Sequence, residues 1–593
     1  MTLHISKRQR LWLVHFAFAM LAAIGPAWAE LSLTIDDPDL AQRLTTEARV
    51  LNPDDDATAA DRIASAKGDY ARLLAVLYEA GYFGANISIT LNGREAANLS
   101  ALESNPKVEP VRISVDPGRV FTFGQASVAP LPPNVSLPAE FQTGATAGTP
   151  QIRRAARDAI TAWRENSHAK AQIADQSISA QHATAQINAS IRIDPGPALR
   201  FGSLVTPNDT AVRSDRIRTI AGLPTGQPFH PDEVERARER LIDTGAFQSV
   251  VVEEADAIGP DQTLDILLNV QDAAPRRIGF GAELSTQNGL SLEAFWLHRN
   301  IFGGAERLRF DLDIDGIAGD TGGVDFSVGA TLTIPGFRRA DDQLIFEIAA
   351  RRLNEETYDG EQFEASVRRE REVNDYLTLG LGAGLRFSDV TDVFGDRSFQ
   401  HLLLFADAEF DNRDSTLSPT KGYFANLSLT PFIGLSDSAT GLLIASDLRA
   451  YRSVRDGTVF AGRLQLGSVV GSDLSETPPG LLFLSGGGGT VRGQDFQSLG
   501  VELPNGRTGG RSFVGLSTEV RQDITNTIGI VGFVDFGFVS ADSDFSDGES
   551  HSGIGLGARY KTSLGALRFD IGLPLTGDDD GGFDIYIGIG EAF

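Results

Sequence analysis

A single arginine stands in a run of glycines. Phe483-Leu484-Ser485-Gly486-Gly487-Gly488-Gly489-Thr490-Val491-Arg492-Gly493 leads into Gln494-Asp495-Phe496-Gln497-Ser498-Leu499-Gly500. The stretch lies in an insertion of roughly forty residues between strand-like segments, a length that is uncommon unless functional or disordered. Glycines let a backbone pack closely, and a guanidinium among them selects a carboxylate through its planar fork of donors. Buried, such an arginine is costly unless paired. An acidic candidate follows. In Ile528 to Val539 the even positions Ile528, Ile530, Val534, Phe536 and Phe538 share one face, and Asp535 and Gly537 take the other. The expectation is that Arg492 folds back and pairs with Asp535; the alternative is a flexible surface loop with a solvated arginine.

Other reactive patterns are weak. The chain has no G-x-S-x-G elbow, no H-E-x-x-H and no phosphate-binding loop. Its 8 histidines are scattered, with no i, i+4 pair. Asp311, Asp313, Asp315 and Gly316 open like a calcium loop, but Gly322 stands where the twelfth-position glutamate belongs. An acidic strand face accounts for them better. Asp578-Asp579-Asp580 reads as a solvated hairpin loop. No catalytic residue, metal site or cofactor is expected, and the chain does not read as an enzyme.

Composition narrows the class. The 593 residues carry 52 basic and 79 acidic side chains, a net charge of −27, which leaves no surplus for a nucleic-acid-binding stripe. Cysteine is absent, which excludes disulfide frameworks and thiolate metal sites. Beyond the N-terminus no uninterrupted apolar run reaches about 18 residues, so helical membrane spans are not expected. The 63 glycines and 35 phenylalanines point to many strands and turns. At the N-terminus, Lys7, Arg8 and Arg10 precede an apolar stretch, Leu11 to Ile24, and the small-x-small site Ala27-Trp28-Ala29. This layout is a secretory signal peptide over residues 1–29.

The first half repeats itself. Asp116-Pro117-Gly118 is followed by Phe123-Gly124, and Asp194-Pro195-Gly196 by Phe201-Gly202, at identical spacing and each after an alternating strand. A helix over Ala71 to Ala80 ends in Gly81-Tyr82-Phe83, and one over Pro231 to Asp243 ends in Gly245-Ala246-Phe247. The middle stretch is blurred, with a helix over Ile152 to Trp163. Three α+β modules fit this self-similarity. From about Pro275 the period becomes two. Leu567, Phe569, Ile571, Leu573 and Leu575 alternate with Arg568 and Asp570, and Leu308, Phe310, Leu312 and Ile314 alternate with Arg307, Arg309, Asp311, Asp313 and Asp315. Alternation alone also suits a soluble sandwich. Charged polar faces, segments of about ten residues and a chain ending on Phe593 favour a closed transmembrane barrel over residues 274–593, with 16 strands and 14 as the alternative.

These motifs together resemble the Omp85 superfamily. Val491-Arg492-Gly493 is similar to its sixth-loop V-R-G-[FY] signature, and Phe533-Val534-Asp535-Phe536-Gly537 to its F-x-D-x-G strand. Phe410-Asp411-Asn412-Arg413-Asp414 with Pro419-Thr420-Lys421-Gly422-Tyr423 resembles a hairpin of the same group, and the terminal Phe593 its sorting signal. Gln494 departs from the pattern, standing where an aromatic is usual. The resemblance is strongest to the TamA (translocation and assembly module) branch. It implies POTRA domains at 30–116, 117–195 and 196–273, a bacterial outer-membrane location with these domains in the periplasm, and assembly of autotransporters and other β-barrel clients. It also implies an inner-membrane-anchored TamB-like partner. A weak seam between the first and last barrel strands would fall at Gly279, Gly281, Gly588 and Gly590. Within the superfamily, a five-POTRA assembly factor would not fit the space before Pro275, and a two-partner secretion pore is the rival. Outside it, a passive porin or a soluble secreted sandwich remains open.

Overall fold

In the computed structural model the described residues are 29–54, 57–100, 107–285, 289–317, 322–562, 565–577 and 582–590. Residues 1–28 of the expected leader, Asp578-Asp579-Asp580 and Phe593 lie outside them. The chain divides into two compact units. One comprises Met1–Gly202, Thr225–Pro231 and Ala257–Leu264, the other Ser203–Pro224, Asp232–Asp256 and Asp265–Phe593.

The first α+β stretch runs β1 (Ala29–Leu33), α1 (Pro38–Glu47), α2 (Ala59–Glu79), β2 (Asn86–Leu91), β3 (Arg94–Glu95) and β4 (Val111–Asp116). Its sheet order is β1-β4-β2-β3, with β1 parallel to β4. Helix α2 begins well before the expected Ala71. The Thr58 side chain accepts from the Asp61 amide, and the Asp61 side chain accepts from the Thr58 amide. This reciprocal cap satisfies two otherwise orphaned N–H groups. Leu73 and Leu77 of α2 bury against Ile89, Ile113 and Val115 of the sheet.

The second stretch has β5 (Thr122–Ala129), α3 (Thr149–Glu165), β6 (Gln172–Gln181) and β7 (Gln186–Asp194), in sheet order β5-β7-β6. Edge strand β6 is exposed along all 10 residues. The repeat seen in the sequence has a shared geometry. Asp116 Oδ1 accepts from the Gly118 amide at 3.2 Å, and Asp194 Oδ1 from the Gly196 amide at 3.0 Å. Both glycines have positive φ, 71° and 64°, which the turn requires and a side chain would oppose. The phenylalanines that follow, Phe123 and Phe201, are both fully buried.

The third stretch has β8 (Arg200–Val205), α4 (Ser214–Ala221), α5 (Pro231–Asp243), β9 (Phe247–Glu254) and β10 (Thr263–Asp272), in sheet order β8-β10-β9. Within the second unit, α4 and α5 sit on two turns of the large sheet. Arg213 donates to the Phe302 carbonyl at 2.6 Å, Arg216 to the carbonyls of Pro335 and Gly336, and Arg240 pairs with Asp341.

The large sheet has 16 strands, consecutive except for the excursion between its eleventh and twelfth members. They are β11 (Arg276–Ser285), β12 (Gly289–His298), β13 (Arg307–Ile317), β14 (Asp325–Pro335), β15 (Asp342–Asn354), β16 (Tyr358–Asn374), β17 (Leu377–Asp392) and β18 (Gly395–Asp411). There follow β19 (Lys421–Gly434), β20 (Gly441–Arg455), β21 (Thr458–Val470), the small hairpin β22 (Val501–Leu503) and β23 (Gly506–Thr508), then β24 (Ser512–Asp523), β25 (Ile528–Ser540), β26 (Glu549–Thr562), β27 (Gly565–Thr576) and β28 (Asp584–Ile589). All neighbouring ladders are antiparallel. The period-two reading holds residue by residue in β25 and β27. Ile528, Ile530, Val534 and Phe536 point outward from β25, and Leu567, Phe569, Ile571, Leu573 and Leu575 are exposed on β27. Large apolar side chains from almost every strand share this outer face, among them Phe280 at 83 % and Leu556 at 74 % exposed. In water so wide a patch would drive association; against lipid tails it is the favourable surface.

One expectation is corrected. Among the described residues no ladder joins β11 to β28, so the sheet is not sealed by hydrogen bonds. Strand β28 is only 6 residues long. Beyond it Gly590, at φ +98°, still donates its N–H to the Ala566 carbonyl of β27 at 2.7 Å, and a Cβ there would stand 3.5 Å from the Leu417 carbonyl in the turn between β18 and β19.

Candidate functional site

The segment between β21 and β24 is drawn onto the inner face of the sheet. Its base is apolar. Leu481 packs with Leu403, Phe405, Phe432 and Val469, and Leu499 with Phe513 and Val539. Phe483 bridges the two clusters and stacks on Phe513 with ring centres 6.0 Å apart. The segment's own backbone pairs at Phe483 with Gly510 and at Ser485 with Leu499, which satisfies these amides from within the segment. Polar contacts then spread over much of the wall: Gln497 to Glu355 before β16 at 3.3 Å, Arg463 of β21 to the Gly489 carbonyl at 3.1 Å, and Ser485 to His551 of β26 at 2.9 Å. A segment that touches strands so far apart in sheet order requires the sheet to curl around it.

Arg492 sits at the deepest point and is 5 % exposed. Its Nε and Nη2 donate to the two oxygens of Asp535 at 2.7 and 3.0 Å, and its backbone N–H donates to the same carboxylate at 3.1 Å. Nη1 reaches Glu519 at 2.8 Å and Asp570 at 3.2 Å. The guanidinium carbon lies 3.6 Å from the Phe533 ring centre, a cation–π stack. Arg521 pairs with Glu519 at 2.8 Å, and Arg559 with Asp570. Three buried guanidiniums thus face three buried carboxylates, drawn from β24, β25, β26, β27 and the loop. Arg568 stands at the margin, 3.9 Å from Asp570. Charges removed from water persist only when paired and hydrogen-bonded. Here the balance is local.

Glycines make this approach possible. A Cβ at Gly493, whose φ is +87°, would come within 2.5 Å of the Leu573 amide nitrogen. One at Gly553 would meet the Arg492 carbonyl at 2.0 Å, and one at Gly572 the Gly493 nitrogen at 2.6 Å. The loop backbone therefore lies directly on β26 and β27. Val491 is fully buried. Gln494, in the position where an aromatic was expected, is buried too. Its amide donates to the carbonyls of Ser552 at 2.8 Å and Thr576 at 2.7 Å, so hydrogen bonds do what ring packing would do.

The sequence brought Arg492 and Asp535 together. It missed Glu519, Asp570, Arg559 and Tyr586. The available signal was alternation, which puts Glu519 and Arg521 on the inner parity of β24 and Asp570 on that of β27. The four seam glycines lie at the two ends of the sheet order, and at Gly279 alone a neighbour excludes a side chain; at the other three a Cβ would make ordinary contacts. A Cβ at Gly279 would meet the Phe295 ring at 2.2 Å, one at Gly281 Glu293 at 3.4 Å, one at Gly588 Arg568 at 3.4 Å, and one at Gly590 Leu417 at 3.5 Å. At Gly279 the room left for Phe295 is a packing requirement beside any weakening of the strand. Among the described residues no group of His, Asp and Glu is arranged to hold a metal.

The glycine-rich internal loop with its arginine on an F-x-D strand meets a family model over residues 300–593. That model describes the Omp85 superfamily domain. The curated outer membrane protein assembly factor BamA of Nitratidesulfovibrio vulgaris is 23 % identical over 399 residues, covering 64 % of this chain and 48 % of that protein. The chain thus spans about half the length of that relative. Among solved structures, BamA from Haemophilus ducreyi lacking POTRA domains 1–3 superposes with a TM-score of 0.60 at 16 % identity, over 78 % of this chain and 98 % of that one. CdiB from Escherichia coli gives 0.49 at 12 % identity, over 90 % and 98 %. The family match takes in fourteen of the sixteen wall strands, β13 to β21 and β24 to β28, and the folded-in loop; the α+β stretches before the wall fit POTRA-like domains.

Proposed function

We propose that this chain is an outer-membrane insertion and translocation factor of the TamA type, aiding assembly of autotransporters and other β-barrel clients. In this reading residues 1–29 are removed, residues 30–116, 117–195 and 196–273 are periplasmic POTRA repeats, and a TamB-like protein anchored in the inner membrane is the partner. It performs no covalent chemistry and needs no cofactor. The driving force is the client's own burial of apolar surface, and the protein lowers the barrier to it.

The unpaired pair β11 and β28 in an Omp85 domain carries this reading. An open edge presents a row of N–H and C=O groups that can template an incoming strand of any sequence. Two features support it. Strand β6 offers a second free edge, 10 residues long and carrying one charge, Asp175. The wall is also uneven: β16 and β18 have 17 residues each, against 10 in β11 and 6 in β28. A short wall at the seam thins the adjoining bilayer and eases insertion there.

The test is reconstitution. Full-length protein in phospholipid vesicles is mixed with a urea-unfolded autotransporter β-domain, and the folded, protease-protected product is followed in time. Several-fold faster insertion than into protein-free vesicles is expected. Equal rates refute the proposal, and a steady, size-limited conductance with equal rates would identify a passive channel instead.

A further inference from the structure

Strand β28 is laddered on one side only, to β27 from Leu567 with Ile589 to Gly572 with Asp584. A six-residue strand with one neighbour frays easily, yet one of its side chains has two contacts on the loop. Tyr586 points inward while Ile587 beside it is 73 % exposed on the outer face. The Tyr586 hydroxyl accepts from the Gly493 N–H at 3.0 Å and donates to Asp584 at 3.3 Å. Its ring lies against the glycine run: a Cβ at Gly488 would stand 3.1 Å from Cδ1 and 3.3 Å from Cε1. Gly493 is held in turn by the ion cluster through Arg492, one residue before it.

We infer that Tyr586 is a positioning residue, a strut through which the docked loop fixes the terminal strand, so that the edge at the seam is set from inside the sheet. Loop and strand are coupled: with Arg492 seated, Gly493 presents its N–H to the hydroxyl and Gly488 leaves space for the ring. Displacing the loop removes both supports and leaves β28 with its single ladder. The consequence for clients rests on the function proposed above, but the strut itself does not.

Amide hydrogen exchange of the full-length protein, read by mass spectrometry on peptides covering 582–593 and 528–562, tests it. Tyr586→Phe removes the hydroxyl and keeps the ring. Gly488→Val pushes on the ring from the loop side. Both are expected to speed exchange in the β28 peptide about tenfold, with the β25 and β26 peptides unchanged. The double variant is expected to add little to either single one, because both cut the same link. Unchanged β28 exchange in both folded variants overturns the inference, as does acceleration spread evenly over β25, β26 and β28, the mark of general destabilisation. Should exchange speed up as described while vesicle insertion stays at the protein-free rate, the strut stands and the proposed function fails.

Discussion

Arg492 meets Asp535 three times, twice through its guanidinium and once through its own backbone amide. The backbone contact ties the position of the loop, as well as the charge of the side chain, to one residue of β25. Arg492→Ala leaves Asp535, Glu519 and Asp570 short of a cation in a buried site, and Asp535→Asn leaves the arginine under-paired. Each is expected to cost about 3–5 kcal/mol. Because both break one contact, the double variant should cost well under the sum. Urea unfolding followed by heat-modifiable gel mobility measures this; changes within about 0.5 kcal/mol, the range of an ordinary surface substitution, would show the pair to be incidental.

Gln494 separates this chain from the pattern it resembles. Gln494→Leu strips the carbonyls of Ser552 and Thr576 of their donors, at about 1–3 kcal/mol for each buried group. Restoring the usual aromatic with Gln494→Phe should do no better, since the pocket is built from carbonyls. Limited proteolysis within 484–500 reads loop release. A Phe variant more resistant than the parent would contradict the hydrogen-bond account.

Gly493→Ala and Gly553→Ala approach the same contact from opposite sides. The first adds a methyl group at positive φ and against the Leu573 backbone, the second against the Arg492 carbonyl. Both should expose the loop to protease as Arg492→Ala does, although neither touches a charge. Intact protection in both would mean that the loop does not lie on β26 and β27.

The seam can be locked chemically, because the chain has 0 cysteines and introduced ones are unambiguous. Cysteines replacing Phe280 of β11 and Ile587 of β28, joined by a short bismaleimide, should raise resistance to urea and slow client insertion. Full insertion by the locked protein would remove the seam from the mechanism.

The first α+β stretch holds a titrating pair. Burial, reinforced by Glu95, pushes the Tyr70 hydroxyl up to about 12. Burial raises the Glu95 carboxyl, but bonds from Tyr70, Ser88 and the Ile89 amide outweigh it and hold it below 4.5. The signs are opposite. A raised tyrosine stabilises the fold below pH 10 and loses that contribution as pH climbs towards 12; a lowered carboxyl stabilises above 4.5 and loses it in acid. In a difference titration at 295 nm, parent minus Tyr70→Phe, the tyrosine lost in the variant should titrate late. A parent titration that matches the variant plus one ordinary tyrosine would exclude the pair.

Local signals were legible in the sequence. Period-two segments located the wall strands, and repeated Asp-Pro-Gly turns exposed the N-terminal echo. A glycine run with one arginine, followed by Asp535 on the inner parity of its strand, located the centre of the site. What escaped depends on register. Glu519, Asp570 and Arg559 look like any inward polar residue until neighbouring strands are aligned. Tyr586 has a role only because the loop folds back on the last strand. The parallel pairing of β1 with β4 spans 82 residues between Leu31 and Ile113 and has no local mark. The start of α2 at Ala59 was hidden because its first turns bury only Ile63 and the small Ala66, while the Thr58 and Asp61 cap fixes where the helix begins.

Strands β21 and β24 pair directly from Thr458 with Gln522 to Ser468 with Ser512. The long excursion therefore leaves and re-enters between two strands that are already joined. Continuity of the wall between β21 and β24 does not depend on what hangs inside it. Changes in the length of the inner piece can then be absorbed at that junction without breaking the β21–β24 ladder, whereas changes in its grip are passed to β25 and β28 through Arg492 and Gly493.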